Sequence, residues 1–290
     1  MKFVGKFGKR GNGPREFFGV PQLHYKKQNN ALYVFDIQGG NHINAYQIDL
    51  FSLNNIFDES TWKSIAFPVF EHATFSSFVP LTDSIFLAMG GDYDRINLLS
   101  IVQAGNKEYK ALDMDYPKDG IKAEAIVKRG VYNYGGILMH PSTNKLVYYC
   151  TNWGNYAEII DNKNFKFSTF QVMTADYPIY KVAKDGMNME SENNTLMGMR
   201  AQSSEQYIYL LPNFHNKEAY LKDDPNRIYP TDHLDKVYVY DWEGNSVKAY
   251  KLDKPVTEFV VDPGDTYLLG SSVDTESGDI VFVRFDLTTI

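Results

Sequence analysis

Cysteine is nearly absent from this 290-residue chain. With Cys150 alone, no internal disulfide can form, which fits a reducing compartment or a core large enough to need no staple. No stretch approaches the ~18 consecutive apolar residues of a membrane-spanning helix. Nor does an apolar segment of signal type follow Met1-Lys2, so the sequence reads either as cytoplasmic or as exported and written without its leader. Basic excess is missing too. The 29 Lys and Arg face 36 Asp and Glu, a net charge of −7, and no Lys/Arg run offers the stripe that neutralises phosphates. That argues against a nucleic-acid partner. Helical periodicity is almost entirely lacking.

What the chain does have is Tyr and Phe, 21 and 19 of them, residues whose rings pack well on a pleated sheet. Short runs of β character recur between turn residues. They fall into groups at 22–25, 31–36, 43–49 and 62–67; at 77–81, 84–89, 97–102 and 108–114; at 136–140, 145–151, 156–161 and 167–173; and at 196–202, 207–211, 236–241 and 247–252. A fifth group has three members, 257–262, 267–271 and 279–286. Each full group reads as a four-stranded antiparallel meander, the blade of a β-propeller. The expectation is one all-β domain over 1–290 with under ~10% helix, against a typical ~30–35%.

One internal echo supports repetition. Leu32-Tyr33-Val34-Phe35-Asp36-Ile37-Gln38-Gly39-Gly40 is matched by Val237-Tyr238-Val239-Tyr240-Asp241-Trp242-Glu243-Gly244-Asn245. Both are apolar strands ending in Asp before a Gly-containing turn. Residues 2–7 are expected to supply the strand missing from the fifth group, because an open edge invites unwanted pairing. Two segments interrupt the pattern: 214–234, with room for a turn or two of helix before Pro225 and Pro230, and the polar stretch 184–194.

The most distinctive stretch is Gly5-Lys6-Phe7-Gly8-Lys9-Arg10-Gly11-Asn12-Gly13-Pro14-Arg15-Glu16-Phe17. It resembles the glycine-rich entry of NHL-type repeats and, more closely, the TolB-like six-bladed β-propeller family of bacterial envelope proteins. The hairpin over 237–252 resembles that family as well. The resemblance implies six blades where five groups are counted, so either an N-terminal blade is missing or five close alone. It also implies a periplasmic or cell-envelope location, often with a lipoprotein leader. Its motifs specify blades rather than chemistry.

Candidate sites are few. Gly8, Gly11 and Gly13 are ordered wrongly for a dinucleotide fingerprint, with Pro14 next and no helix opening after it, so they read as a blade-connecting loop. Gly90-Gly91-Asp92-Tyr93-Asp94-Arg95 alternates carboxylates that could hold a hard cation, although Gly and Asp are simply good turn formers. Asn152-Trp153-Gly154-Asn155-Tyr156 is the leading ligand loop: aromatic faces stack on flat or sugar ligands and amides bond hydroxyls. The competing reading is a turn whose Trp caps the core. With no Lys or Arg adjacent in sequence, a neutral, hydroxyl-rich ligand suits it best. Asp92 and Arg95 are expected to complete that site.

Cys150 sits in an apolar run and reads as a buried thiol. The six histidines show no metal-binding spacing, and neither a cofactor motif nor a nucleophile elbow of the form Gly-x-Ser-x-Gly occurs. The leading reading is therefore a non-enzymatic binding module with a carbohydrate or protein ligand. The alternative is a metal-dependent hydrolase or lactonase drawing on Asp36, Asp92, Asn152 and Asp241.

Overall fold

A computed structural model describes residues 6–92, 97–106, 108–223, 234–274 and 277–287. The chain divides into two compact units, Met1–Tyr116 and Pro117–Ile290. The sheets of both are blades of a β-propeller, antiparallel with strands in sequence order.

The first unit carries two blades. Blade 1 comprises Gln22–Lys26, Ala31–Gln38, His42–Asp49 and Lys63–Ile65. Blade 2 comprises Ala73–Pro80, Ile85–Asp92, Leu99–Gln103 and Tyr109–Ala111. The second unit carries three. Blade 3 is Gly135–Met139, Lys145–Cys150, Asn155–Lys163 and Lys166–Asp176. Blade 4 is Arg200–Ser203, Tyr207–Leu211, Leu234–Asp241 and Ser246–Val256. Blade 5 has three strands, Glu258–Val261, Tyr267–Val273 and Ile280–Asp286. Every strand group read from the sequence is present. Among the described residues the α-helices are Ala125–Tyr132 and Lys217–Asp223, of eight and seven residues.

The cores lie between blades. Phe35 of blade 1 stacks on Phe78 of blade 2 at 5.6 Å and meets Phe86 edge-on at 5.7 Å. In the second unit, Val147 and Ile159 of blade 3 join Ile208 and Trp242 of blade 4, and Tyr209 and Val237 of blade 4 join Phe259 and Leu268 of blade 5. A strand with sheets on both faces must be apolar throughout, which is why Ile208-Tyr209-Leu210-Leu211 shows no polar alternation.

Blades are also latched by a repeated hydrogen bond. The Tyr33 hydroxyl, on the second strand of blade 1, donates to Asp83 in the first hairpin turn of blade 2 at 2.8 Å. The Tyr209 hydroxyl, on the second strand of blade 4, donates to Asp265 in the first turn of blade 5 at 2.6 Å. This is a true positional repeat. The sequence echo is not: 32–40 turns from the second strand of blade 1 to the third, whereas 237–245 turns from the third strand of blade 4 to the fourth. The two aspartates differ accordingly. Asp36 accepts the amides of Phe18 and Gly19, while Asp241 accepts those of Glu243 and Asn245 in its own turn.

The glycine-rich entry folds onto blade 1. Lys9 and Arg10 bridge to Glu16 and Phe17, and the Glu16 carboxylate returns to the Gly13 amide at 2.8 Å. A Cβ on Gly11 would lie 2.1 Å from that carboxylate, which would have to swing away from the Gly13 amide. Phe17 is buried and stacks on Trp62 at 6.0 Å. Of the expected closing strand, residues 2–5 lie outside the described residues, and Lys6 and Phe7 carry no strand. The polar stretch 184–194 spans the turn of a hairpin made by Tyr180–Val182 and Met189–Ser191. In the interruption at 214–234, the helix Lys217–Asp223 forms as expected, and 224–233 lie outside the described residues.

Candidate functional site

The loop after strand Lys145–Cys150 is paired by backbone with the segment 196–198. Gly154 donates to the Leu196 carbonyl at 2.8 Å, and Gly198 donates to the Asn152 carbonyl at 2.9 Å. Trp153 and Met197 form an isolated antiparallel bridge. Gly154 has φ +72°, and a Cβ there would lie 2.6 Å from the Pro178 nitrogen. A third segment locks the second, since Met197 donates to the His215 carbonyl at 3.0 Å and Lys217 to the Thr195 carbonyl at 2.9 Å. Three loops of the second unit are thus held by main chain, a geometry that leaves little freedom to the side chains they carry.

Their outward side chains differ from the expected set. Asn152 is exposed and Trp153 half-buried. Phe214 is 49% exposed on the third loop, and Ile179, whose amide donates to Thr195 Oγ1 at 2.9 Å, is 42% exposed. Asn155 and Tyr156, expected at the surface, are buried at 1% and 3% exposure. The reason is strand geometry. Both open the strand Asn155–Lys163, whose first six residues are buried, and the Asn155 amide donates inward to the Asn213 carbonyl at 3.1 Å. Tyr156 stacks on Tyr177 at 4.9 Å.

Nor is the site free of cations. Lys217 Nζ lies 5.7 Å from the Trp153 ring centroid while bonding Ser191 Oγ at 2.9 Å, and Arg200 reaches the Thr151 carbonyl at 3.4 Å. Both come from later in the chain, where adjacency in sequence could not reveal them. Asp92 ends a strand of the first unit, in register with Ala73, and Arg95 lies outside the described residues.

Beneath the loop runs a buried polar chain. Glu158, 2% exposed, bonds Thr169 and Tyr156, and burial raises its carboxyl above the usual range against those bonds. Tyr148 donates to the Tyr132 carbonyl at 2.8 Å and lies 3.7 Å from the Cys150 sulfur. Burial pushes that thiol up to about 12, so it stays protonated and unreactive at neutral pH. Below it, the Asp119 carboxylate accepts Lys128, the hydroxyls of Tyr132 and Tyr180 at 2.8 Å each, and the Ile121 amide at 2.9 Å. Among the described residues, no group of three or more His, Cys, Asp or Glu side chains is placed to hold a metal ion.

Glu158 makes a testable prediction. Its folded-state carboxyl lies above the unfolded value of 4.5, so ionisation costs folding energy as pH rises from 4.5 to the folded value. Glu158→Gln keeps an acceptor for Tyr156 without the ionisation. Its melting temperature should gain on that of the native chain as pH goes from 4 to 8. A difference that stays flat across that range would rule this out.

Comparison with known proteins gives the following. The sequence model of a family described as TolB-like 6-blade propeller-like matches residues 1–264. No curated protein matches the chain. A chain of a nidogen/laminin complex aligns with 9% identity over 92% of this chain and 75% of its own, TM-score 0.46. A protein of unknown function from Desulfotomaculum acetoxidans aligns with 14% identity over 97% and 74%, TM-score 0.45. The β-propeller domain of the Trilobed protease from Pyrococcus furiosus aligns with 11% identity over 92% and 69%, TM-score 0.41. No helix among the described residues is long and apolar enough to cross a membrane.

Proposed function

The chain belongs to the TolB-like 6-blade propeller-like family, and from that footing we propose a non-enzymatic binding module, a single propeller domain over 1–290 acting in the cell envelope. Its ligand is a carbohydrate fragment held at the loops around Trp153. The observation that carries the reading is the half-buried indole on a backbone-clamped loop, with the exposed Asn152 amide beside it. An indole supplies a stacking face, and an amide supplies both a donor and an acceptor for hydroxyls. Lys217 over the ring adds a cation that a neutral sugar tolerates and an acidic sugar would favour.

The hydrolase reading has less support, because Asp36 and Asp241 each accept main-chain amides where they stand. The test is a glycan screen on the native chain and on Trp153→Ala. Loss of a central aromatic anchor should weaken binding by about tenfold or more. Undiminished binding by a folded Trp153→Ala chain would remove this loop from the site, and a native chain that binds a protein but no glycan would replace the ligand class.

A further inference from the structure

The first unit carries a groove of its own. The glycine-rich entry and the turn after Leu53–Ile56 enclose a groove of about 870 Å³, within the size range of small-molecule sites. Its apolar wall is Phe7, Ile56 and Phe57. Phe57 is 42% exposed, and Phe7 is braced edge-on against Trp62 at 6.2 Å. Its basic rim is Lys6, Lys9 and Arg10, all exposed. None of the three has an ion-pair partner among the described residues, on a chain whose net charge is −7. Three cations side by side, none held in an ion pair, repel one another, and an anion arriving between them relieves that repulsion.

Two carboxylates, Asp58 and Glu59, also line the groove. Asp58 is turned into its own loop, accepting the Ser60 amide at 3.0 Å and the Ser60 hydroxyl, and these bonds hold its carboxyl below the usual range. The basic rim is also preorganised. Lys9 and Arg10 sit on a two-residue bridge to Glu16 and Phe17, and Gly11 donates to the Phe17 carbonyl at 3.0 Å. Gly8 takes φ +75°, and a Cβ there would lie 2.6 Å from the ring of the buried Phe17, so the entry passes close over a fixed side chain. Little ordering is therefore left for a ligand to supply on binding.

We propose that this groove binds a small amphipathic anion: an apolar chain or ring laid on Phe7, Ile56 and Phe57, with its acidic head between Lys6, Lys9 and Arg10. The combination disfavours two simpler ligands. A bare anion would leave the apolar wall in water, and a neutral amphiphile would leave the three cations without an ion pair.

The experiment is titration of the full chain with dodecanoate below its micelle concentration, read by backbone amide chemical shifts. Inorganic phosphate and dodecyl maltoside serve as the head-only and neutral comparisons. Dodecanoate should shift amides at 6–11 and 55–60 and bind at least about tenfold more tightly than either comparison. Lys9→Ala with Arg10→Ala should lower dodecanoate affinity about tenfold, the effect of losing two charge-assisted contacts. Phe57→Ala should lower it severalfold, and both variants should keep the native melting temperature to within a few degrees. Shifts confined to other residues, equal binding of dodecyl maltoside or phosphate, or undiminished affinity in the folded Lys9→Ala, Arg10→Ala chain would each overturn the proposal.

Discussion

Gly198→Ala should lower the melting temperature by roughly 6–12 °C and abolish the carbohydrate binding proposed at Trp153. A Cβ at this position would lie 2.1 Å from the Thr151 carbonyl carbon, 2.3 Å from its oxygen and 2.5 Å from the Asn152 nitrogen. All three are main-chain atoms, so no rotamer change can relieve the contact. The backbone must separate instead, breaking the Gly198–Asn152 and Met199–Cys150 bonds at 2.9 Å that hold the loop. Overpacking typically costs about 1–3 kcal/mol where side chains can yield. Here the upper end is expected, about 3 kcal/mol, and a chain of this size loses about 2–4 °C per kcal/mol. Gly19→Ala is the control. A Cβ there meets nothing within 4 Å, and the melting temperature should not change measurably. Calorimetry on both variants decides the matter, and a Gly198→Ala chain that melts with the native one would show that the clamp is not rigid.

Asp119→Ala should cost about 3–5 kcal/mol, the range for removing one partner of a buried ion pair. The Asp119 side chain is 1% exposed and that of Lys128 13%. Truncation removes the acceptor shared by the ammonium and the hydroxyls of Tyr132 and Tyr180. For contrast, Glu190 pairs with Lys181 at the surface at 3.5 Å, and Glu190→Ala should cost no more than about 1 kcal/mol. Acid should reproduce part of the Asp119 effect. Desolvation raises that carboxyl, but the bonds from Lys128, Tyr132, Ile121 and Tyr180 outweigh it, so the folded value lies below the unfolded 3.8. The stability it contributes is present above 3.8 and is lost as pH falls from 3.8 through the folded value. Denaturant melts of native and Asp119→Ala chains should therefore converge as pH drops below about 4. If the gap between them stays constant down to pH 2, the carboxylate charge is not what the site uses.

The sequence determined on its own the class of fold, the blade groups and the burial of Cys150. Those features rest on local pattern. A strand sandwiched between sheets must be apolar along its whole length, as in Phe86-Leu87-Ala88-Met89, and a turn must contain residues that tolerate it. The glycine-rich entry was legible as a connecting loop, and its bridge to Glu16 and Phe17 spans only a few residues. The helix Ala125–Tyr132 was not legible. Its buried side chains are Val127, Val131 and Tyr132, and eight residues are too few for a helical period to repeat.

Only the tertiary structure decided which loop residues face outward. Asn155 and Tyr156 looked like ligand contacts beside Trp153, yet they begin a strand, and Tyr177 from 21 positions later lies over the Tyr156 ring. Lys217 and Arg200 changed the charge of a site that reads as neutral in sequence. The Tyr–Asp latches, whose members stand 50 and 56 residues apart, likewise leave no local trace. In a propeller each blade's surface is finished by its neighbour, so local pattern sets what a strand is, and the packing of the next blade sets which of its side chains remain available to bind anything.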